Sequence, residues 1–219
     1  MIEAVIFDMD GLMVDTESFY TQAITEVANK RGREFTLKLK QEMMGRQGIE
    51  SMTIFKEQLE LEETPLELLE ERSKIFGGLL NASRIEPLPG LLKLLDELRK
   101  EGIRRAIASS SKRCWIEIIV SRFGLDGEFE VIVSGDDVRY GKPDPEIYLL
   151  TARRLGLSPE NCLVLEDAPV GVIAAKKAGM YCIVCPNQFS QGLDFSLADT
   201  VVNSLEDVTL NLITNLTES

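Results

Sequence analysis

The sequence predicts an α/β protein: a parallel sheet covered by helices on both faces, with a four-helix unit inserted near its start. Three observations carry this. From about residue 87 onward, short and nearly continuous apolar runs alternate with amphipathic segments, the rhythm of buried parallel strands crossed by helices. Between residues 16 and 80 the spacing is helical throughout, with no strand among the helices. The first apolar run, residues 2–7, stops at two carboxylates, Asp8 and Asp10, with Gly11 behind them.

The elements follow in order. Residues 2–7 read as the first strand, apolar apart from Glu3. Helical spacing then runs from Thr16 to Arg31 and stops at Gly32, and again from Leu37 to Met44, stopping at Gly45. Two more helices are predicted over Ile49–Leu61 and Pro65–Leu80, the last with Thr64 as cap and Pro65 at its first position. A helix over Leu91–Lys100 ends at Gly102, and Arg104–Ser109 reads as the second strand. A helix to Phe123, a strand over Glu130–Ser134 and a loop to Lys142-Pro143 come next. Asp144 is placed as a cap, with Pro145 opening its helix. Strand Cys162–Leu165, a helix to Ala178, strand Tyr181–Val184, a short strand at Thr200–Val202 and a terminal helix complete the pattern. The sheet domain is therefore expected to comprise residues 1–15 and 86–219, the helical cap residues 16–85, with hinges near 14–18 and 82–89.

At 219 residues, with 44% hydrophobic and 27% charged residues, the chain has the composition of a globular protein with one sizeable core and a small insert. A net charge of −12 argues against nucleic acid or an anionic membrane as partner, since both reward basic patches. A small anionic substrate remains compatible, because a few lysines, backbone amides and a metal make one pocket positive. No stretch is long enough to span a bilayer, and Glu3 and Asp8 interrupt any signal-like N-terminus, so a cytoplasmic location is expected. Cys182 and Cys185 have CxxC spacing, but on a strand an offset of three sends the sulfurs to opposite faces. The chain has no histidine to complete a zinc site, so Cys182 and Cys185 are read as core thiols.

Chemistry concentrates where the strands end. Asp8 and Asp10 point the same way on an extended chain, and two like charges that close need a cation, water or a shared proton. The second strand ends at Ser109, the loop after the third carries Lys142, and the fourth reaches Glu166-Asp167. Alone, each has an ordinary reading: a helix cap, a surface lysine, an acidic helix start. A parallel sheet brings all four ends onto one rim, where ligands bind. Carboxylates for a hard cation, a hydroxyl donor and an ammonium form the inventory of phosphoryl transfer.

These motifs, Phe7-Asp8-Met9-Asp10-Gly11, Ala108-Ser109-Ser110-Ser111, Gly141-Lys142-Pro143-Asp144-Pro145 and Glu166-Asp167-Ala168-Pro169, resemble those of the haloacid dehalogenase-like hydrolase superfamily. The likeness is to its helical-cap subgroup, near the β-phosphoglucomutases and the pseudouridine-5′-phosphatase-like small-molecule phosphatases. The resemblance implies a Rossmann-like core and assigns roles. Asp8 would be the nucleophile that forms an aspartyl-phosphate, and Asp10 the acid that protonates the leaving alcohol and then activates water. Ser109, Ser110 and Lys142 would hold the phosphoryl group. Mg²⁺ would be ligated by Asp8, the backbone carbonyl of Asp10 and Asp167, with Glu166 a direct or outer ligand.

Within that subgroup the mutases carry a histidine five residues after the aspartate matching Asp15; here that residue is Tyr20. They also carry an arginine three residues after the cap glycine, where this chain has Gly48, with Arg46 displaced from the position. The expected function is thus a Mg²⁺-dependent phosphatase acting on a sugar, polyol or nucleoside phosphate, with Arg46 and Gln47 as cap contacts to substrate. A phosphomutase is the alternative, and a noncatalytic phosphate sensor a more distant one, since Asp8, Asp10 and Lys142 are all present. The chain is expected to act as a monomer.

Overall fold

The computed structural model describes residues 1–44, 46 and 48–217. Among these, six strands form one parallel sheet: β1 (Ala4–Phe7), β2 (Arg104–Ala108), β3 (Val131–Val133), β4 (Cys162–Glu166), β5 (Tyr181–Val184) and β6 (Thr200–Val201). Their spatial order is β3-β2-β1-β4-β5-β6. Pleat alternation sorts the strand residues into two cores. Val5, Phe7, Ile107, Leu163, Leu165 and Ile183 face one layer, and Ala4, Ile6, Ala106, Val164, Cys182 and Val184 the other. Cys182 and Cys185 divide between these two cores, and neither is in a disulfide.

The first face is covered by α5 (Leu91–Lys100), α6 (Arg113–Arg122) and α9 (Leu210–Asn215). On α5, Leu91, Leu94, Leu95 and Leu98 form a buried stripe of helical period, and Arg99 and Lys100 close its C-terminal turn, where cations suit the macrodipole. The second face is covered by α7 (Glu146–Leu155) and α8 (Pro169–Lys177). Its small residues, Ala4, Ala106, Ala174 and Ala175, leave room for close approach. Fully burying one large apolar side chain such as Phe7 contributes roughly 1.5–3 kcal/mol, so the doubly covered sheet is the main source of stability.

Between β1 and α5 lie α1 (Glu17–Asn29), α2 (Leu37–Met43), α3 (Gly48–Leu59) and α4 (Pro65–Ala82). They build a separate core from Ile24, Val27, Met43, Met52, Phe55 and Leu68. Thr64 caps α4 as expected: its hydroxyl accepts from Glu67 N at 3.3 Å while Glu67 Oε2 accepts from Thr64 N at 2.8 Å. Where the chain leaves and re-enters the sheet domain, Val14 pairs with Pro87 and Leu88 N donates to Met13 O at 2.9 Å.

Several boundaries shift by a residue or two from expectation, and two of these shifts have a visible local reason. The first strand starts at Ala4 rather than residue 2, because the ladder to Arg104 and Cys162 begins there. The helix placed at Pro145 starts at Glu146, with Pro145 at the cap position. Asp144 still does the capping chemistry, its Oδ1 accepting from Glu146 N at 3.0 Å.

Candidate active site

The chain leaves β1 first toward β2 and β3, then toward β4, β5 and β6 on the opposite side. This opens a crevice at the carboxyl end of β1. Asp8 sits there, its N–H donating to Leu165 O at 3.0 Å, so the ladder fixes its direction one step past the strand. Lys142 enters from the loop after β3 and is 2% exposed. Its ammonium donates to Asp8 Oδ1 at 2.5 Å, Glu166 Oε1 at 2.6 Å and Ala108 O at 3.4 Å, one acceptor for each proton.

Glu166 is equally enclosed. Oε1 also accepts from the Tyr148 hydroxyl at 2.6 Å, and Oε2 accepts from the backbone N–H of Asp167 at 3.0 Å and Ala168 at 3.2 Å. Both oxygens are thus engaged in orienting Lys142 and the start of α8. Gly171 on α8 lies so close that any Cβ there would fall inside Glu166 Oε1.

Asp8, Glu166 and Asp167 offer oxygens within 4.8 Å of one another, all buried, and among the described residues Lys142 is the cation paired with Asp8 and Glu166. The imbalance is visible in their acidities. Burial pushes Asp8 up to about 8; Lys142 opposes this, while Glu166 and Asp10 add to it. Burial, then Glu166 and Asp8, hold Asp167 well above the usual carboxylate range. Burial alone would lower Lys142, but Asp8 and Glu166 outweigh it and raise the ammonium. A crowded set of buried carboxylate oxygens suits a hard divalent cation, which would remove the repulsion. Asp167 is steered by a residue not anticipated from sequence: Asn187, beyond β5, donates from Nδ2 to Asp167 Oδ2 at 2.6 Å. Asn187 is itself held, its Oδ1 accepting from Phe189 N at 2.8 Å and Ser190 N at 3.2 Å.

Asp10 borders the same cavity but is held by hydroxyls rather than by Lys142. Its Oδ1 accepts from Thr16 Oγ1 at 2.5 Å, and Oδ2 from Ser109 Oγ at 3.0 Å and Ser111 Oγ at 2.7 Å. Ser109, expected at the phosphoryl group, is fully buried and instead bonds Asp10 and accepts from Ser111 N at 3.0 Å. Ser110 borders a small cavity of about 40 Å³ with Asp8, Asp10, Lys142, Glu166 and Asp167. A larger chamber of about 250 Å³ adjoins it, sharing Asp10, Glu17, Met44 and Ser110, and is walled mainly by the four inserted helices.

Arg46 borders this chamber, but its Nε donates to Glu42 O at 2.9 Å and its guanidinium pairs with Glu50. Gln47, the other expected cap contact, lies outside the described residues. Beyond Asn187, sequence reading missed Thr16, Ser111 and Tyr148. A signal existed for two of them: Ser111 repeats Ser109 at the same strand end, and Asn187 follows the apolar run of β5.

The haloacid dehalogenase-like hydrolase family matches residues 2–179. The chain belongs to this family. It is 39% identical over 183 residues to the phosphorylated carbohydrates phosphatase of Thermotoga maritima, covering 82% of each chain. It is 32% identical over 220 residues to the β-phosphoglucomutase of Bacillus subtilis, covering 97% of this chain and 94% of the relative. The fold superposes on CbbY of Rhodobacter sphaeroides, solved as a mutant with xylulose-1,5-bisphosphate, with a TM-score of 0.85 at 29% identity, over 94% of this chain and 96% of the other. This haloacid dehalogenase-like hydrolase places Asp8, Asp10, Ser110, Lys142, Glu166 and Asp167 around one cavity.

Proposed function

We propose that this chain is a divalent-metal-dependent phosphatase of small phosphomonoesters, working through an aspartyl-phosphate on Asp8, with residues 16–85 as a cap. The observation that carries the reading is the division between the two aspartates. Asp8 lies against Lys142 in the carboxylate cluster, while Asp10 is held by three hydroxyls at the mouth of the chamber. In the first half-reaction an Asp8 oxygen bonds phosphorus as the ester P–O bond breaks, and Asp10 gives its proton to the leaving alkoxide. In the second, Asp10 takes a proton from water, which attacks phosphorus and releases phosphate from Asp8. Lys142 aligns Asp8 and offsets the phosphate's charge, and Ser110 is placed to donate to its oxygens. Asp8 and Asp167 would hold Mg²⁺ with the Asp10 carbonyl; Glu166, with both oxygens committed, acts from outside. The bound ion would supply charge neutralisation for the nucleophile and the transferring group.

The mutase reading draws on the Bacillus relative. Against it, Tyr20 stands where the mutase histidine is expected and Arg46 is tied to α2 and α3 residues. One assay separates the readings: phosphate release from hexose, polyol and nucleoside phosphates and β-glucose 1-phosphate, with Mg²⁺ or EDTA, and Asp8→Asn as blank. Metal-dependent release, lost in Asp8→Asn while the thermal midpoint is retained, is expected. Conversion of β-glucose 1-phosphate to the 6-phosphate without release would establish the mutase, metal-independent release would refute the role of the metal, and release by Asp8→Asn would refute the nucleophile assignment.

A further inference from the structure

Asp167 takes a side-chain hydrogen bond from outside the four motif segments, and the turn that supplies it also bears on the inserted helices. Strand β5 delivers that turn. Val184 stands opposite Glu166 in the parallel ladder, and Cys185 N donates to Glu166 O at 2.8 Å. Asn187 comes two positions later, at the rim beside Asp167, and its Nδ2 donates to Asp167 Oδ2 at 2.6 Å. The other end of the amide fixes this direction: Oδ1 accepts from Phe189 N and Ser190 N, which only the oxygen can do. The Asn187 backbone N–H donates to Ser190 Oγ at 3.0 Å, and Ser190 is fully buried, so the turn closes on itself. Gly11 packs against the Asn187–Asp167 contact. A Cβ there would lie 2.5 Å from both Asn187 Nδ2 and Asp167 Oδ2, and its φ of +85° suits glycine. Asn187 therefore rests beside the peptide whose carbonyl belongs to Asp10, another ligand candidate.

The residue type matters at this position. A lysine would neutralise Asp167 and compete with a cation, and a carboxylate would add to the repulsion. A neutral amide orients the carboxylate and leaves its charge for the ion. Phe189, in the same turn, is held by α2. Gln41 Nε2 donates to Phe189 O at 3.3 Å, and Lys40 Nζ lies 3.1 Å from the ring centroid. Lys40 is buried and tied to α1 through Glu17 Oε2 at 3.0 Å and Thr21 Oγ1 at 2.5 Å. Two inserted helices thus bear on the turn whose amide holds Asp167.

We propose that Asn187 is a positioning residue of the metal site, and that docking of α2 on Phe189 sets its grip, so that cation affinity depends on the inserted helices. This role rests on the metal reading of the carboxylate cluster under the proposed function and does not require ester hydrolysis. Such coupling is reciprocal: what docking adds to the cation's affinity, the cation adds to docking. Mn²⁺ binding to the whole chain, followed by the electron paramagnetic resonance of the free ion with no substrate present, tests it, with Asp167→Asn as the blank for adventitious sites. Asn187→Leu is expected to raise the Kd about tenfold or more, the usual effect of losing an outer partner of a metal ligand, with the thermal midpoint in EDTA retained. Phe189→Ala, which removes the ring beside Lys40 and leaves Asn187 in place, should raise it roughly threefold or more. In the wild type, hydrogen exchange of the amides of residues 37–43 and 187–191 should slow when Mg²⁺ replaces EDTA.

An unchanged Kd in Asn187→Leu overturns the positioning role. Should that variant not fold, Phe189→Ala and the wild-type exchange decide: an unchanged Kd together with unchanged exchange at residues 37–43 overturns the proposal. Weakened binding in Asn187→Leu, with no effect at Phe189 or on that exchange, overturns the part given to α2. Wild-type binding no tighter than that of Asp167→Asn refutes both the brace and the metal reading. The expected shifts in a chain that hydrolyses no ester support the brace and refute the phosphatase.

Discussion

Lys142 is the residue on which the site's electrostatics turn. Among the described residues it is the ammonium that pairs with Asp8 and Glu166, and it is 2% exposed. Removing one partner of a buried ion pair leaves uncompensated charge, at a cost of about 3–5 kcal/mol. Lys142→Met is therefore expected to lower the unfolding free energy from urea denaturation by an amount of that order and to reduce turnover by roughly a hundredfold or more. A variant with the wild-type unfolding free energy would show that the carboxylates do not depend on the lysine for their burial. Tyr148 belongs to the same unit, its hydroxyl on Glu166 Oε1, and burial beside that carboxylate raises its own pKa well above the usual phenol value.

Two elements transmit their packing to the site. Helix α8 approaches β4 so closely that Gly171 has no room for a methyl group beside Glu166. Gly171→Ala is expected to displace Glu166, release Lys142 and cut kcat by about tenfold or more, although residue 171 touches no substrate. An unchanged kcat would mean that the lysine is positioned without Glu166. The short turn at residues 135–137 is fastened by Asp137. Partial burial pushes its carboxyl up, but Ser134 N and Oγ, Arg154 and Arg113 all donate to it and outweigh burial, leaving it far below the usual range. The folded-state value lies below the unfolded one, so its stabilisation is complete above about pH 4 and is lost as pH falls through the folded value. The difference in stability between wild type and Asp137→Asn should thus shrink progressively below about pH 4; a difference independent of pH would assign the loss to packing.

At the scale of the whole molecule, the inserted helices are fastened to the sheet domain beside the metal-ligand candidate. Lys40 on α2 lies 3.1 Å from the Phe189 ring centroid, and Gln41 Nε2 donates to Phe189 O at 3.3 Å. Phe189 N in turn is held by Asn187, whose amide steers Asp167. The contact that joins the inserted helices to the sheet domain thus ends, through one residue, on the metal-ligand candidate Asp167. A desolvated cation–π pair is worth about 2 kcal/mol, so Phe189→Ala should lower kcat/KM by roughly tenfold or more while shifting the core's thermal midpoint little. Equal kcat/KM in the variant would separate closure from this contact. Among the described residues no helix is long and apolar enough to cross a membrane.

What the sequence determined by itself were the features written in local periodicity and at strand ends. The alternation at residues 4–7 sent Asp8 and Asp10 to the sheet's carboxyl rim, and the positions of Lys142 and Glu166-Asp167 after their strands brought them to the same cavity. The Thr64 cap and the opposite faces of Cys182 and Cys185 were legible for the same reason, since each depends on neighbours a few residues away. Only the tertiary structure decided which hydroxyls hold Asp10, that Tyr148 shares Glu166 with Lys142, and that Asn187 orients Asp167. Those partners lie on different elements, and which of them meet is set by strand order and by how helices seat on the sheet. A hydrogen-bond donor in the sequence does not carry the address of its acceptor; the packed core supplies it.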